Sequence, residues 1–254
     1  MENLANFMFF GGLEGLLVRR YRPAPVAYRF RDHPGVKDPI ETMGIPHTEV
    51  DVVLANGRSV GFDYQLAHGD TIAVYPPDSA IPAVPLVRLS PILTAPARFV
   101  LDVHLGSLAR RMRLLGFDTL YRNDFADAEL LRLSLEQGRI LLTRDLGILK
   151  HRRLVFGALV RSDYVNEQVQ QILTRYRLFD QIRPWLRCMA CNGLVEPVAK
   201  GEILHRLEPL TRRYYDEFRR CTACRRLYWR GSHHEKIEKW LASMLAAGKA
   251  LSRI

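Results

Sequence analysis

The chain has 254 residues, enough for one large domain or two to three small ones, with an ordinary apolar fraction of 48%. No stretch is long and apolar enough to span a bilayer, which argues against a membrane partner, and no basic segment precedes the apolar run Phe7 to Val18, so no secretion signal is expected. The net charge of +10 is uneven: 7 Lys/Arg face 10 Asp/Glu up to residue 82, and 30 face 17 from residue 83 onward. A basic excess concentrated in this way points to a polyanionic partner, most simply nucleic acid; solubilising surface charge is the plainer alternative.

The first third reads as a small β-rich module. Val26–Phe30 alternates like a strand, and Val36–Met43 fits a short helix. Val50–Ala55, Asn56-Gly57 and Arg58–Phe62 predict a hairpin, since Asn-Gly supplies the positive φ angles of a type I′ turn. His68-Gly69-Asp70 marks another turn, and Thr71–Tyr75 a last strand. Strands, a helix, then more strands is a β-grasp order. His47 and Glu49 are read as turn and strand-edge residues. The prolines at 76, 77, 82, 85, 91 and 96 break regular structure and predict an extended linker, with the boundary between Asp78 and Ala97.

The middle of the chain alternates strand and helix. Arg98–Leu101, Thr119–Tyr121, Arg139–Thr143 and Ala158–Arg161 are predicted strands. Leu105–Leu115, Ala126–Gln137, Leu146–Arg152 and Asn166–Tyr176 are predicted helices, the first two stopped by Gly116 and Gly138. Repeated βα units predict a parallel sheet with helices on its faces.

An aspartate stands just past each predicted strand: Asp102, Asp124 (with Asp127 and Glu129 close behind), Asp145 and Asp163. In a parallel sheet all carboxyl ends lie on one edge, so these groups are expected to meet at one crevice. Each also precedes a helix and could be an N-cap. Four aspartates in succession is an uneven draw when Ser, Thr and Asn share that role, and capping is compatible with ligation. Clustered carboxylates repel unless a cation neutralises them, and oxygen ligands suit Mg²⁺ or Mn²⁺. A hard cation beside a basic surface predicts metal-assisted phosphodiester hydrolysis. No phosphate-binding glycine loop and no persuasive Ser/His or Cys/His pair competes with that reading. Arg110, Arg111, Arg113 and Arg144 lie close to these acids and are candidate phosphate clamps; a solvated helix face is the alternative.

A second boundary is expected near Arg183-Pro184. Beyond it stand the only four cysteines, as Cys188-Met-Ala-Cys191 and Cys221-Thr-Ala-Cys224. Two CxxC pairs predict a closed, structural four-thiolate Zn²⁺ site, with disulfides or reduced core thiols as the alternatives. The long segment 192–220 between them requires an insertion or hairpin. CxxC pairs without a secretion signal fit the cytoplasm. Arginines 206, 212, 213, 219 and 220 are interleaved with Tyr214, Tyr215 and Phe218, and Arg225, Arg226, Tyr228, Trp229 and Arg230 follow. Arginine among aromatics suits single-stranded RNA. Trp229 is expected to pack on the zinc core, and His233 and His234 to lie on the surface. Glu235–Leu251 predicts a terminal amphipathic helix.

Phe99-Val-Leu-Asp102, the run from Leu105 through Arg110, Arg111 and Arg113 to Thr119, Arg139-Ile-Leu-Leu-Thr143-Arg144-Asp145, Arg187-Cys188-Met-Ala-Cys191-Asn192, the second CxxC pair and Tyr228-Trp229-Arg-Gly231-Ser232-His233 resemble the Mut-seven C-terminal RNase domain. Val36-Lys37-Asp38, Pro46–Val50, Asn56-Gly57 and Gly69-Asp70 resemble the ubiquitin-like domain fused to such RNases. The resemblance covers almost the whole chain. It implies an α/β, PIN-like parallel sheet with flanking helices and an acidic metal site, an N-terminal β-grasp (α+β) domain and a C-terminal zinc ribbon. The implied domains are 1–80 (ubiquitin-like), 81–97 (linker), 98–183 (PIN-like nuclease) and 184–254 (zinc ribbon and helix). Asp102 and Asp145 match the strongest motif positions as Mg²⁺ or Mn²⁺ ligands, and Asp124, Asp127 and Asp163 match less closely. Asp118, at the opposite edge, is expected to be structural. The implied activity is metal-dependent ribonuclease, the alternative a non-catalytic RNA-binding adaptor. The β-grasp module runs into prolines where a sulfur carrier would end in free Gly-Gly, so docking to a protein partner or packing on its own nuclease domain is the expected role.

Overall fold

A computed structural model of the chain describes residues 2–251 except 23, 78, 80, 82–85, 95, 232 and 233. Part of the expected linker, together with Ser232 and His233, therefore lies outside the described residues, as does the His234 side chain. In chain order the elements are β1 (Asn3–Phe9), β2 (Val26–Phe30), α1 (Lys37–Thr42), β3 (Val52–Ala55), β4 (Arg58–Val60), β5 (Thr71–Tyr75), β6 (Arg98–Leu101), α2 (Gly106–Leu114), β7 (Asp118–Tyr121) and α3 (Asp127–Gln137). They continue with β8 (Ile140–Thr143), α4 (Leu146–Leu149), β9 (Gly157–Leu159), α5 (Val165–Arg175), β10 (Val195–Val198), α6 (Lys200–Ile203), α7 (Pro209–Tyr214), β11 (Phe218–Cys221), β12 (Leu227–Trp229) and α8 (His234–Leu251). Two compact units result: residues 1–94 with 126–160, and residues 95–125 with 161–254.

The first unit holds a five-stranded sheet in the order β2-β1-β5-β3-β4. Its central pair, β1 and β5, is parallel (Phe7 opposite Ile72), and its outer pairs are antiparallel, which is the β-grasp arrangement. Ala5 and Phe7 point inward at alternate positions and, with Ile40 of α1, Val53, Leu66 and Ile72, form one buried core. The hairpin forms as the sequence predicts, with Asn56 at φ 50° and Gly57 at φ 80°. Residues 86–90 return along this sheet: Leu89 N–H donates to the Asp51 carbonyl (2.7 Å), Ser90 N–H to Asp51 Oδ1 (3.1 Å), and Arg88 pairs with the same carboxylate. Leu86 packs on the outer face of β3 and β5. The unit also contains α3, the parallel pair β8–β9 (Leu142 opposite Ala158) and α4.

In the second unit β6 and β7 run parallel, with Phe99 opposite Thr119 and Leu101 opposite Tyr121. Helix α2 packs on β7 and α5, and its Leu108, Ala109 and Met112 are fully buried. It stops at Gly116, where φ is 97° and a Cβ would meet the Arg183 carbonyl oxygen at 2.0 Å; only glycine fits there. The C-terminal part is a three-stranded antiparallel ribbon, β10-β11-β12, with Val195 opposite Cys221 and Phe218 opposite Trp229. The chain is thus mixed α/β: parallel strands flanked by helices, an N-terminal β-grasp sheet and a C-terminal cysteine ribbon.

Candidate functional site

The four cysteines converge. Their sulfurs all lie within 4.8 Å of one another, with Cys188–Cys224 at 3.6 Å and Cys191–Cys221 at 3.4 Å. A tetrahedron of sulfurs about 2.3 Å from a zinc ion has edges of about 3.8 Å, so the set fits a four-thiolate metal site, and all four are free thiols. Burial alone would push the Cys188 thiol up. The hydrogen bond from the Tyr228 hydroxyl (3.0 Å) and those from the Cys191 and Ala190 amides outweigh it and bring the thiol down to about 6. Burial, followed by its bond to Cys188, pushes the Tyr228 hydroxyl up, and burial pushes Cys221 up. These hydrogen bonds favour the thiolate form at Cys188, the form in which a cysteine ligates a metal.

The first knuckle is bound to the β6–α2–β7 segment. Arg113 is only 4% exposed; its guanidinium donates to the carbonyls of Thr119 (2.9 Å), Met189 (3.3 Å) and Ala190 (2.9 Å). This corrects its expected role: three backbone carbonyls occupy the donors that were to grip phosphate. Asn192, in the left-handed region at φ 70°, extends the edge of β7. Its Oδ1 accepts from Thr119 N–H (2.9 Å) and its Nδ2 donates to Asp118 Oδ1 (2.8 Å), while Arg187 lies 3.6 Å from Asp118 Oδ2. Asp118 is structural, as its place at the amino end of β7 predicts. Sequence reasoning places Arg187 and Asn192 only at the ends of the run around the first CxxC pair that resembles the RNase domain, with no role assigned to either.

The predicted acids stand as follows. Asp102 directly follows β6, and its Oδ1 accepts from Val103 N–H (2.5 Å). Asp124 follows the parallel neighbour β7, is exposed, and pairs with Arg122 (2.8 Å), whose hydrogen bond holds its carboxyl below the usual range. Both chains thus leave the same edge of the β6–β7 pair. Tyr121, at the end of β7, donates its hydroxyl to the Val103 carbonyl (2.9 Å), tying the loop after Asp102 to that edge. In the other unit, Asp145 leaves the carboxyl end of β8 and caps α4, accepting from Gly147 N–H (2.6 Å). Asp127 opens α3 without acting as its cap, and Asp163 is exposed ahead of α5. A cap uses one carboxylate oxygen of two, so capping and metal ligation are compatible roles for a carboxylate. Of the candidate clamps, Arg110 and Arg144 are exposed, whereas Arg111 lies 4.5 Å over the Trp240 ring of α8.

The N-terminal module is fastened to β8–β9 by its own polar residues. Glu49 is 1% exposed and accepts from Leu159 N–H in β9 (2.9 Å). His47 sits between Glu41 Oε1 (2.6 Å from Nδ1) and the Leu154 carbonyl (2.8 Å from Nε2), and Lys150 donates to the Glu41 carbonyl (2.9 Å). Burial alone would raise Glu41; the hydrogen bond and charge of His47, with Lys37, override it and hold the carboxyl below its ordinary value. These residues are a dock as well as a turn.

Residues 97–241 match the family model described as Mut7-C RNAse domain, and residues 2–81 match that described as Mut7-C ubiquitin. No curated protein matches the chain. No helix among the described residues is long and apolar enough to cross a membrane.

Proposed function

The chain belongs to the Mut7-C RNAse family, and from that premise we propose that it is a metal-dependent ribonuclease that hydrolyses phosphodiester bonds of single-stranded RNA. The observation that carries this reading is the placement of the acids: Asp102 and Asp124 leave one edge of the parallel pair β6–β7, and Asp145 leaves the corresponding end of β8. Ligands of parallel sheets gather outside the carboxyl ends of the strands. Asp102 and Asp145 would hold an Mg²⁺ or Mn²⁺ ion, with Asp124, Asp127 and Asp163 as the further carboxylates around it. Such an ion polarises phosphate and lowers the pKa of bound water. The backbone amides of Val103 and Gly147 fix the two carboxylates by their caps, and Tyr121 steadies the loop after Asp102. The exposed Arg110 and Arg144 are assigned to the substrate's phosphates. Zn²⁺ in the cysteine set is structural: four thiolates leave no open position. The proposed domain limits are 1–80, 81–97, 98–183 and 184–254. The β-grasp module packs on its own nuclease segment through Glu49 and His47, which favours an intramolecular role over carriage of sulfur.

The test is cleavage of single-stranded RNA by purified protein with Mn²⁺ or Mg²⁺. The wild type should cut, and Asp102→Asn with Asp145→Asn should bind without cutting. Equal cleavage by the double variant would defeat the assignment. Binding by a wild type that never cuts would favour the adaptor reading.

A further inference from the structure

Three clefts of the ribbon share one side chain, Trp229. The largest, about 520 Å³, is lined by Trp185, Leu210, Tyr214, Tyr215, Tyr228 and Trp229. Five of its eleven lining residues are aromatic, and the volume is in the usual range for a small-molecule site, about 300–1,000 Å³. Tyr214 is 64%, Leu210 69% and Trp229 41% exposed, so this is an open aromatic wall rather than a sealed core. Trp229 packs on Phe218 at 6.3 Å between ring centres yet also lines the clefts, so the expected packing on the ribbon is only half its role. A second cleft, of about 430 Å³, adjoins it at Trp229 and carries Arg206 and Arg226 with Glu208. A third, of about 420 Å³, adjoins it at Trp185, Tyr228 and Trp229 and carries Lys200, Arg219 and Arg230 with Asp216 and Glu217; Asp216 is already paired with Lys200 at 2.8 Å. The floor is held in place, because the Tyr228 hydroxyl is bonded to Cys188 Sγ.

We propose that this aromatic cleft is a nucleobase-binding site: one unstacked base of a single-stranded RNA lies against Trp229 and Tyr214 while its neighbouring phosphates run into the two flanking cationic clefts. The proposal rests on the ribonuclease reading for its ligand. Aromatic faces bind any base by stacking, and cations in the two adjoining clefts match a polyanion passing over the ring. An apolar peptide would gain nothing from the flanking cations, and a small apolar ligand would not need them.

The experiment uses the full zinc-loaded chain carrying Asp102→Asn and Asp145→Asn, so that RNA stays intact. The probes are short oligouridylate and oligoadenylate RNAs, each also made with abasic positions and with one 2-aminopurine. Trp229→Ala and Tyr214→Ala should each weaken binding about 5- to 150-fold, and Trp229→Phe should restore most of it. In the parent protein abasic RNA should bind correspondingly less well, and the Trp229→Ala loss should largely vanish with it, because both changes remove one contact. 2-Aminopurine fluorescence should be quenched on binding and not by Trp229→Ala. Tyr214 is exposed, so its variant tests the site even if a tryptophan variant disturbs the ribbon; zinc content checks the fold. Unchanged affinity of both alanine variants with zinc retained overturns the proposal, as does equal loss for normal and abasic RNA. Base-dependent binding without cleavage by the wild type would sink the nuclease reading and leave the pocket standing; cleavage with unaltered binding in the variants would do the reverse.

Discussion

The N-terminal sheet and the cysteine ribbon are fastened to the α/β elements of their own units by the same physical device with opposite charge. In the first, the module supplies a buried carboxylate, Glu49, which takes a backbone N–H of β9. In the second, the α/β segment supplies a buried guanidinium, Arg113, which takes two carbonyls of the knuckle. Strand edges and knuckle turns both present backbone groups that must be satisfied once covered. A single long charged side chain does this across a seam where continuous strand pairing is not available. The difference lies in what else holds each seam. The ribbon has a small apolar cluster, Val198, Ile203, Leu207 and Phe218, beside a four-cysteine set that fits a metal, whereas the module has a larger apolar core from Phe7 to Ile72.

Breaking the metal site should therefore separate the two regions most. Cys221→Ser, or stripping zinc with a chelator, should unfold the ribbon while amides of β1, β3 and β5 stay protected, read by hydrogen exchange. Arg113→Ala comes next. It leaves the Thr119, Met189 and Ala190 carbonyls without their donor and should cost about 3 kcal/mol in denaturant unfolding of the second unit. Arg113→Lys should recover little, since an ammonium on a shorter stem cannot span three carbonyls. Glu49→Ala should cost about 2 kcal/mol and speed exchange at the Leu159 amide. The smallest effect is that of acid. The Glu41 carboxyl is depressed in the fold, so its contribution is present above its unfolded pKa and is lost as pH falls through the lower folded value. The melting temperature should drop more on going from neutral pH to below the carboxylate range in the wild type than in Glu41→Gln.

Much of this was legible in the chain. Strand β6 and the helix spanning Leu105–Leu115 lie where apolar spacing puts them, and the paired CxxC motifs specify their own convergence. Strand β1 was missed because Asn3 and Asn6 weaken its alternation, and its parallel pairing with β5 is set by residues far along the sequence. Arg113 was misread for a related reason. It stands four residues after buried Ala109 and next to buried Met112, on the apolar stripe, but its charge suggested solvent. Only the knuckle folding over that stripe explains it. His47 and Glu49 look like turn residues locally; their partners Leu154 and Leu159 lie more than a hundred positions away.

The most direct measurement of the central claim is calorimetric titration of Mn²⁺ into zinc-loaded protein. The account predicts binding that disappears in both Asp102→Asn and Asp145→Asn while zinc content is unchanged and Asp118→Asn still binds. Equal Mn²⁺ affinity in the wild type and in either of the first two variants would contradict it.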